Sequence, residues 1–188
     1  NYDEAMAALD RWRKLDPNST ELPQMYAITH LKLRQPEQAA PYIEVMLLTS
    51  RETSIDEAMA VKQLLAKEAT TEDAYIVLQV LNNRQEKNKH LLILQSRYAA
   101  QLKKYDEALT LLDNVLVMEP VQHEVLIIKS RILTAQGKNE EATLLIKQVV
   151  DELPDNNALR LQYARMLVEQ HKMEEATQQY AILQKNLP

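Results

Sequence analysis

Carboxylate pairs are the first residues in this chain with the makings of chemistry. They stand at Asp3-Glu4, Glu72-Asp73, Asp106-Glu107, Glu140-Glu141 and Glu174-Glu175, with a single Glu37 between the first two. Two adjacent carboxylates can divide acid and base work in hydrolysis. Here they recur at a nearly constant interval, and recurrence favours a structural role. Four histidines, His30, His90, His123 and His171, include no pair at the i, i+4 spacing of a helical zinc site. His90 and His123 occupy similar points in successive repeats, but no carboxylate or thiolate pattern accompanies them. The serines Ser19, Ser50, Ser54, Ser96 and Ser130 fit no nucleophile motif. No catalytic, cofactor-binding or metal-ligating residue is therefore assigned, no cofactor is expected, and enzyme activity is not expected. One pattern does not follow from packing. Arg97, Arg131 and Arg165 recur at intervals of 34 residues. A guanidinium column of this kind either pairs with neighbouring acids or receives an anionic or carbonyl-rich ligand.

Those arginines need elements to hold them, and an internal repeat supplies the elements. Alanine stands at Ala5, Ala39, Ala74, Ala108, Ala142 and Ala176, spaced 34, 35, 34, 34 and 34. Four residues later come Leu9, Ile43, Leu78, Leu112, Ile146 and Tyr180. Three further on come Trp12, Met46, Leu81, Val115, Val149 and Leu183. Small, large, large at i, i+4 and i+7 is one face of a helix. A second small column, Ala27, Ser96, Ser130 and Ala164, marks a preceding helix, with Tyr26 and Tyr163 packed beside it. Proline closes units at Pro17, Pro120, Pro154 and Pro188, because it cannot donate the bond that would continue a helix. The acidic clusters open each second helix, where negative charge meets the positive end of the macrodipole.

Helices are expected at about 3–15, 21–34, 37–49, 55–68, 71–83, 88–103, 105–118, 122–136, 139–152, 156–170 and 173–186. The units are an orphan second helix (1–17) and repeats at 18–53, 54–86, 87–120, 121–154 and 155–188. The repeat at 54–86 is divergent: Lys62 takes its small position and Glu86 replaces its closing proline. Ser54 and Glu57 form a capping box there. Pro41 inside its helix is expected to kink it. The last helix presents Met173, Tyr180, Ile182 and Leu183 with no polar outer face, as expected of a fragment of a longer array whose open ends could self-associate.

Composition narrows the function. One glycine in 188 residues argues against tight β-hairpins and removes every glycine-rich phosphate loop. Absent cysteine excludes disulfides and thiolate metal sites. A net charge of −5, from 22 basic and 27 acidic residues, with no basic run, argues against nucleic acid as a partner. No apolar run reaches the roughly 20 residues of a membrane span.

The 34-residue register with these columns resembles the tetratricopeptide repeat, a helix–turn–helix unit. The resemblance implies an all-α, TPR-type α-solenoid of antiparallel helix hairpins forming a right-handed superhelix. It also implies a concave groove lined by first helices, where protein or peptide partners bind. Arg97, Arg131 and Arg165 would face that groove, with Ile93, Ile127 and Leu161 one turn earlier as an apolar strip. Residues 130–183, including Ser130-Arg131-Ile132-Leu133 and Leu161-Gln162-Tyr163-Ala164-Arg165-Met166-Leu167, look like the repeats of bacterial outer-membrane lipoproteins that are adaptors of a periplasmic C-terminal processing protease. That likeness implies a periplasmic scaffold recruiting a protease and its substrates. The alternatives are a scaffold of another bacterial envelope or secretion assembly, and a non-catalytic arm of an enzyme.

Overall fold

The computed structural model describes residues 2–49, 54–84 and 88–186, with side chains except at 54–57. Among the described residues there are eleven helices and no strand. They are α1 (Tyr2–Leu15), α2 (Leu22–Lys32), α3 (Pro36–Thr49), α4 (Ser54–Glu68), α5 (Thr71–Arg84), α6 (Lys89–Gln101), α7 (Tyr105–Met118), α8 (His123–Ala135), α9 (Asn139–Glu152), α10 (Asn157–Glu169) and α11 (Met173–Asn186). Each expected helix is present. The Ser54–Glu57 side-chain cap, Glu86 and Pro188 lie outside the described residues.

Helix ends follow the sequence chemistry. All six odd-numbered helices carry their acidic residues in the first turn. Two first helices start on asparagine caps instead. Asn88 accepts from the amides of His90 and Leu91, and Asn156 accepts from that of Leu159 at 3.0 Å. Pro36 opens α3, where its missing N–H costs nothing. Pro41 lies inside α3, which is assigned as one helix across it.

The turn between paired helices explains the lone glycine. Gly137 has φ of +82°, and Arg34, Lys103 and His171 have φ of 60° at the corresponding positions. In each turn the residue after this one donates its amide five residues back: Gln35 to His30, Lys104 to Ala99, Lys138 to Leu133 and Lys172 to Leu167, at 2.8–2.9 Å. This is the left-handed helix stop that glycine adopts without steric cost. Three of the four turns hold a side chain there. Lys103→Gly and His171→Gly are each expected to raise stability by about 0.5–1 kcal/mol in denaturant melts. Gly137→Ala is expected to lower it by a similar amount through the backbone alone, because an added Cβ meets nothing within 4 Å.

The chain forms two compact units, Asn1–Leu111 and Leu112–Pro188. In the first, Ala39 and Ala74 are fully buried and let helices approach, while Ile43, Leu78 and Leu81 fill the space beside them. At its start Leu9, Leu22 and Tyr26 form a smaller cluster, with Trp12 and Met6 against it. Tyr26 stacks on Tyr42 with ring centroids 4.7 Å apart, and its hydroxyl donates to Asp10 at 2.7 Å. In the second unit Ile146, Val149 and Val150 of α9 are buried with Leu159, Tyr163 and Leu167 of α10. Ser130 is small enough to let α8 meet α9, and its hydroxyl donates to the Ala142 carbonyl at 2.9 Å. Ser96 is buried likewise and donates to the Ile93 carbonyl at 2.7 Å.

The divergent helix α4 corrects one expectation. Lys62 does not occupy the small buried position: it is exposed, and Ala58, Val61 and Leu65 are buried. Val61 stands 13 residues before Ala74, whereas Ala27, Ser96, Ser130 and Ala164 stand 12 before their alanines. The extra residue lengthens α4, which runs seven residues past Val61 where the other first helices run five past their small residue, and the α4–α5 connection is two residues rather than three. There the Ala69 amide donates to Leu65 in ordinary helical fashion, and the Thr70 hydroxyl accepts from the Asp73 amide.

Candidate protein-binding surfaces

Each of α6, α8 and α10 turns a small residue inward: Ser96, Ser130 and Ala164 are all buried. The next residue along a helix points about 100° away, and that rotation exposes Arg97, Arg131 and Arg165. Arg97 belongs to the first unit and takes part in an interaction within the chain. Arg131 and Arg165 belong to the second unit, and neither has a hydrogen bond or ion pair among the described residues. The corrected α4 register puts exposed Lys62 at the corresponding position of the divergent repeat. The 35-residue interval between Ala39 and Ala74 was the signal for that shift.

The three apolar companions sit differently from one another. Ile93 is buried, at 8 % exposed. Ile127 is half-buried against the core of the second unit. Leu161 is half-buried and lines an apolar groove of about 420 Å³ between α10 and α11, with Asn157, Ala158, Tyr180, Leu183 and Gln184.

Polar networks elsewhere are internal. Tyr75 donates its hydroxyl to Glu107, and Lys104 lies 4.0 Å from the centre of the Tyr75 ring. Asn82 donates to Gln95 at 2.7 Å in the same region. Burial, then the Glu107 carboxylate, pushes the Tyr75 phenol up to about 12 from its ordinary 10.0. A raised folded value means that the neutral phenol's stabilisation is fully present below pH 10 and is lost as pH rises toward 12. Tyr75→Phe is expected to make the stability of the first unit fall less steeply across that window, by up to about 2–3 kcal/mol, while Tyr26, also raised to about 12, keeps part of the dependence. An alkaline denaturation series followed through Trp12 fluorescence checks it.

His123 pairs with Glu152 at 2.7 Å, and hydrogen bonds from Gln148 and His123 hold that carboxyl below its usual range. No group of three or more histidines or carboxylates that could hold a metal is found among the described residues. Arg160 was missed from the sequence. It is 8 % exposed, in the column where Leu92 and Leu126 are buried. It donates to Gln179 Oε1 at 2.7 Å and to the Pro154 carbonyl at 3.0 Å. A charged residue in a leucine column was the available signal.

Two family models, both tetratricopeptide repeat, match residues 93–157 and 133–188. Residues 93–188 are tetratricopeptide repeats. Solved structures show the same fold over most of the chain. MamA from Desulfovibrio magneticus RS-1, from residue 41 to its end, is 14 % identical with a TM-score of 0.63, over 90 % of this chain and 95 % of that one. MamA of AMB-1 is 18 % identical with a TM-score of 0.57, over 88 % and 96 %. At these identities the likeness is one of fold. No curated protein matches the chain in sequence. The tetratricopeptide architecture makes this an all-α solenoid of antiparallel hairpins, and no described helix is long and apolar enough to cross a membrane. Repeats of this type bind protein partners, so the exposed first-helix positions are where a partner's contacts are sought.

Proposed function

We propose that this chain is a non-catalytic protein-binding scaffold whose second unit holds acidic or extended peptide segments through Arg131 and Arg165. The carrying observation is that both guanidinium groups are exposed without a partner among the described residues, one repeat apart on first helices. Helices pack about 8–10 Å apart. Two arginines at that interval match residues about three apart in an extended chain at roughly 3.3 Å per residue. The guanidinium fork serves carboxylates through paired bonds and main-chain carbonyls through single ones, which lets one surface hold several sequences. Arg97, with Lys62, occupies corresponding positions in the first unit. The more specific form is an adaptor bringing a periplasmic processing protease to its substrates, and it rests on the likeness of residues 130–183 to such lipoproteins. A peptide array graded in acidic content tests the proposal. Binding is expected to rise with carboxylates spaced about three apart and to fall steeply with salt. Equal retention of basic and acidic peptides would contradict it.

A further inference from the structure

The helices α7 and α9 of the second unit end in different chemistry at equivalent positions. The end of α7 carries Val117 and Met118, 83 % and 42 % exposed, and the connection to α8 adds Val121 at 73 %. In the next repeat, 34 positions on, the same places hold Asp151, Glu152 and Asp155. One repeat back, Asn83 and Arg84 precede Val117 and Met118. The repeat therefore asks for no apolar side chain here, and burial does not account for one. Single exposed apolar residues are ordinary, but three within five positions form a patch, and this one lies well inside the sequence.

A negative surface borders the patch. Val121 stands two residues before His123, whose ring reaches Glu152 at 2.7 Å. Glu152 and Asp155 line a recess of about 600 Å³ with Leu153, Pro154, Asn156 and Asn157. The Asp155 carboxylate is exposed and has no hydrogen bond or ion pair among the described residues. The lysines of α8 and α9 are already engaged, Lys129 by Asp113 and Lys147 by Asp151. Neither α7 nor α9 has a basic residue in its last turn, and α9 ends on Asp151 and Glu152. Carboxylates at the negative end of a helix macrodipole repel it, so the field at this edge favours an added cation.

We infer that this edge of the second unit is a docking surface for a basic amphipathic helix of a partner protein. The helix lays its apolar stripe on Val117, Met118 and Val121. A lysine or arginine beside the stripe enters the recess between Glu152 and Asp155. Charge decides the occupant: an acidic helix would gain the same apolar contact but meet carboxylates instead of partners. A second copy of this chain, with a net charge of −5, is a poorer match. The surface uses neither Arg131 nor Arg165. A basic peptide without an apolar stripe is not expected to be held, which separates this helix from the extended segments proposed for those arginines.

The probe is a labelled peptide of about four helical turns, with leucine at i, i+4, i+7 and i+11 and lysine on both sides of that stripe. Fluorescence anisotropy is expected to show saturable binding to the whole chain that weakens with salt. Val117→Ser/Val121→Ser, at two exposed positions, is expected to weaken it by about tenfold or more. Glu152→Gln/Asp155→Asn is expected to weaken it by about fivefold or more. Glu140→Gln/Glu141→Gln makes the same charge change in the first turn of α9 and is expected to leave binding unchanged. Peptides with serine for leucine, or glutamate for lysine, are expected not to bind. Circular dichroism confirms that each variant keeps its helix content. Absent binding, or binding unchanged in the valine variant, overturns the inference. Equal losses in the two carboxamide variants also overturn it, because the attraction is then general charge. So does a dimer in sedimentation that Val117→Ser/Val121→Ser dissociates, because the occupant is then a second copy.

Discussion

Truncating Leu78 to alanine is expected to lower the stability of the first unit by about 2–5 kcal/mol. Leu78 is fully buried on α5, four residues after Ala74 and in one cluster with Ile43, Leu81 and Leu91. The close approach of helices at Ala39 and Ala74 leaves the surrounding backbone little freedom to collapse into the space vacated. The cost is therefore expected to exceed the transfer free energy of the lost methyl groups. Trp12 is the only tryptophan and lies in the same unit. Its fluorescence in a urea series is the readout, and the midpoint is expected to fall while the slope stays the same. A shift worth less than about 1 kcal/mol would mean that the position is not held as described.

Leucine in place of Ala142 is expected to cost about 3 kcal/mol or more in the second unit, for the opposite reason. Ala142 is fully buried, and its carbonyl accepts the Ser130 hydroxyl at 2.9 Å. Three further carbon atoms cannot fit where two helices meet through a serine and an alanine. The helices would have to separate, losing that hydrogen bond and loosening Ile146 and Val149 below it. Glu141→Leu, one residue away and exposed, is the size-matched control and is expected to cost no more than about 1 kcal/mol, the macrodipole contribution of its carboxylate. Far-ultraviolet circular dichroism during thermal unfolding distinguishes them. Equal melting of the two variants would refute the packing assignment of the alanine column.

These two positions show why so much of the fold was readable. A residue that must be small at a helix crossing and a residue that must be large beside it leave a signature at fixed spacing. Among the described residues Ala39, Ala74, Ala108 and Ala142 are all fully buried, as the 34-residue register requires. The acidic first turns were readable because the macrodipole acts locally. The left-handed turns were not, because Arg34, Lys103 and His171 give no sign of φ above zero. Only Gly137 carried that information. Lys62 was misplaced because α4 runs on past the usual helix end, and one residue of offset along a helix is a 100° rotation, which exchanges an inward position for an outward one. The α10–α11 groove was legible only in part: Tyr180 and Leu183 read as apolar, but what covers their counterparts emerges from the packing of α10 on α9. Tyr75 with Glu107 was hidden for a different reason, since a hydrogen bond across 32 residues leaves no local pattern.

The proposal that Arg131 and Arg165 grip acidic segments is tested most directly by reversing charge on both sides of the contact. The best acidic peptide from the array and its lysine-substituted counterpart are titrated into wild type and into Arg131→Glu/Arg165→Glu by calorimetry. Both arginines are exposed, so the double variant is expected to keep the wild-type helix content. It is expected to lose at least about tenfold in affinity for the acidic peptide and to gain for the basic one. Unchanged affinity for the acidic peptide in the folded double variant would contradict the account.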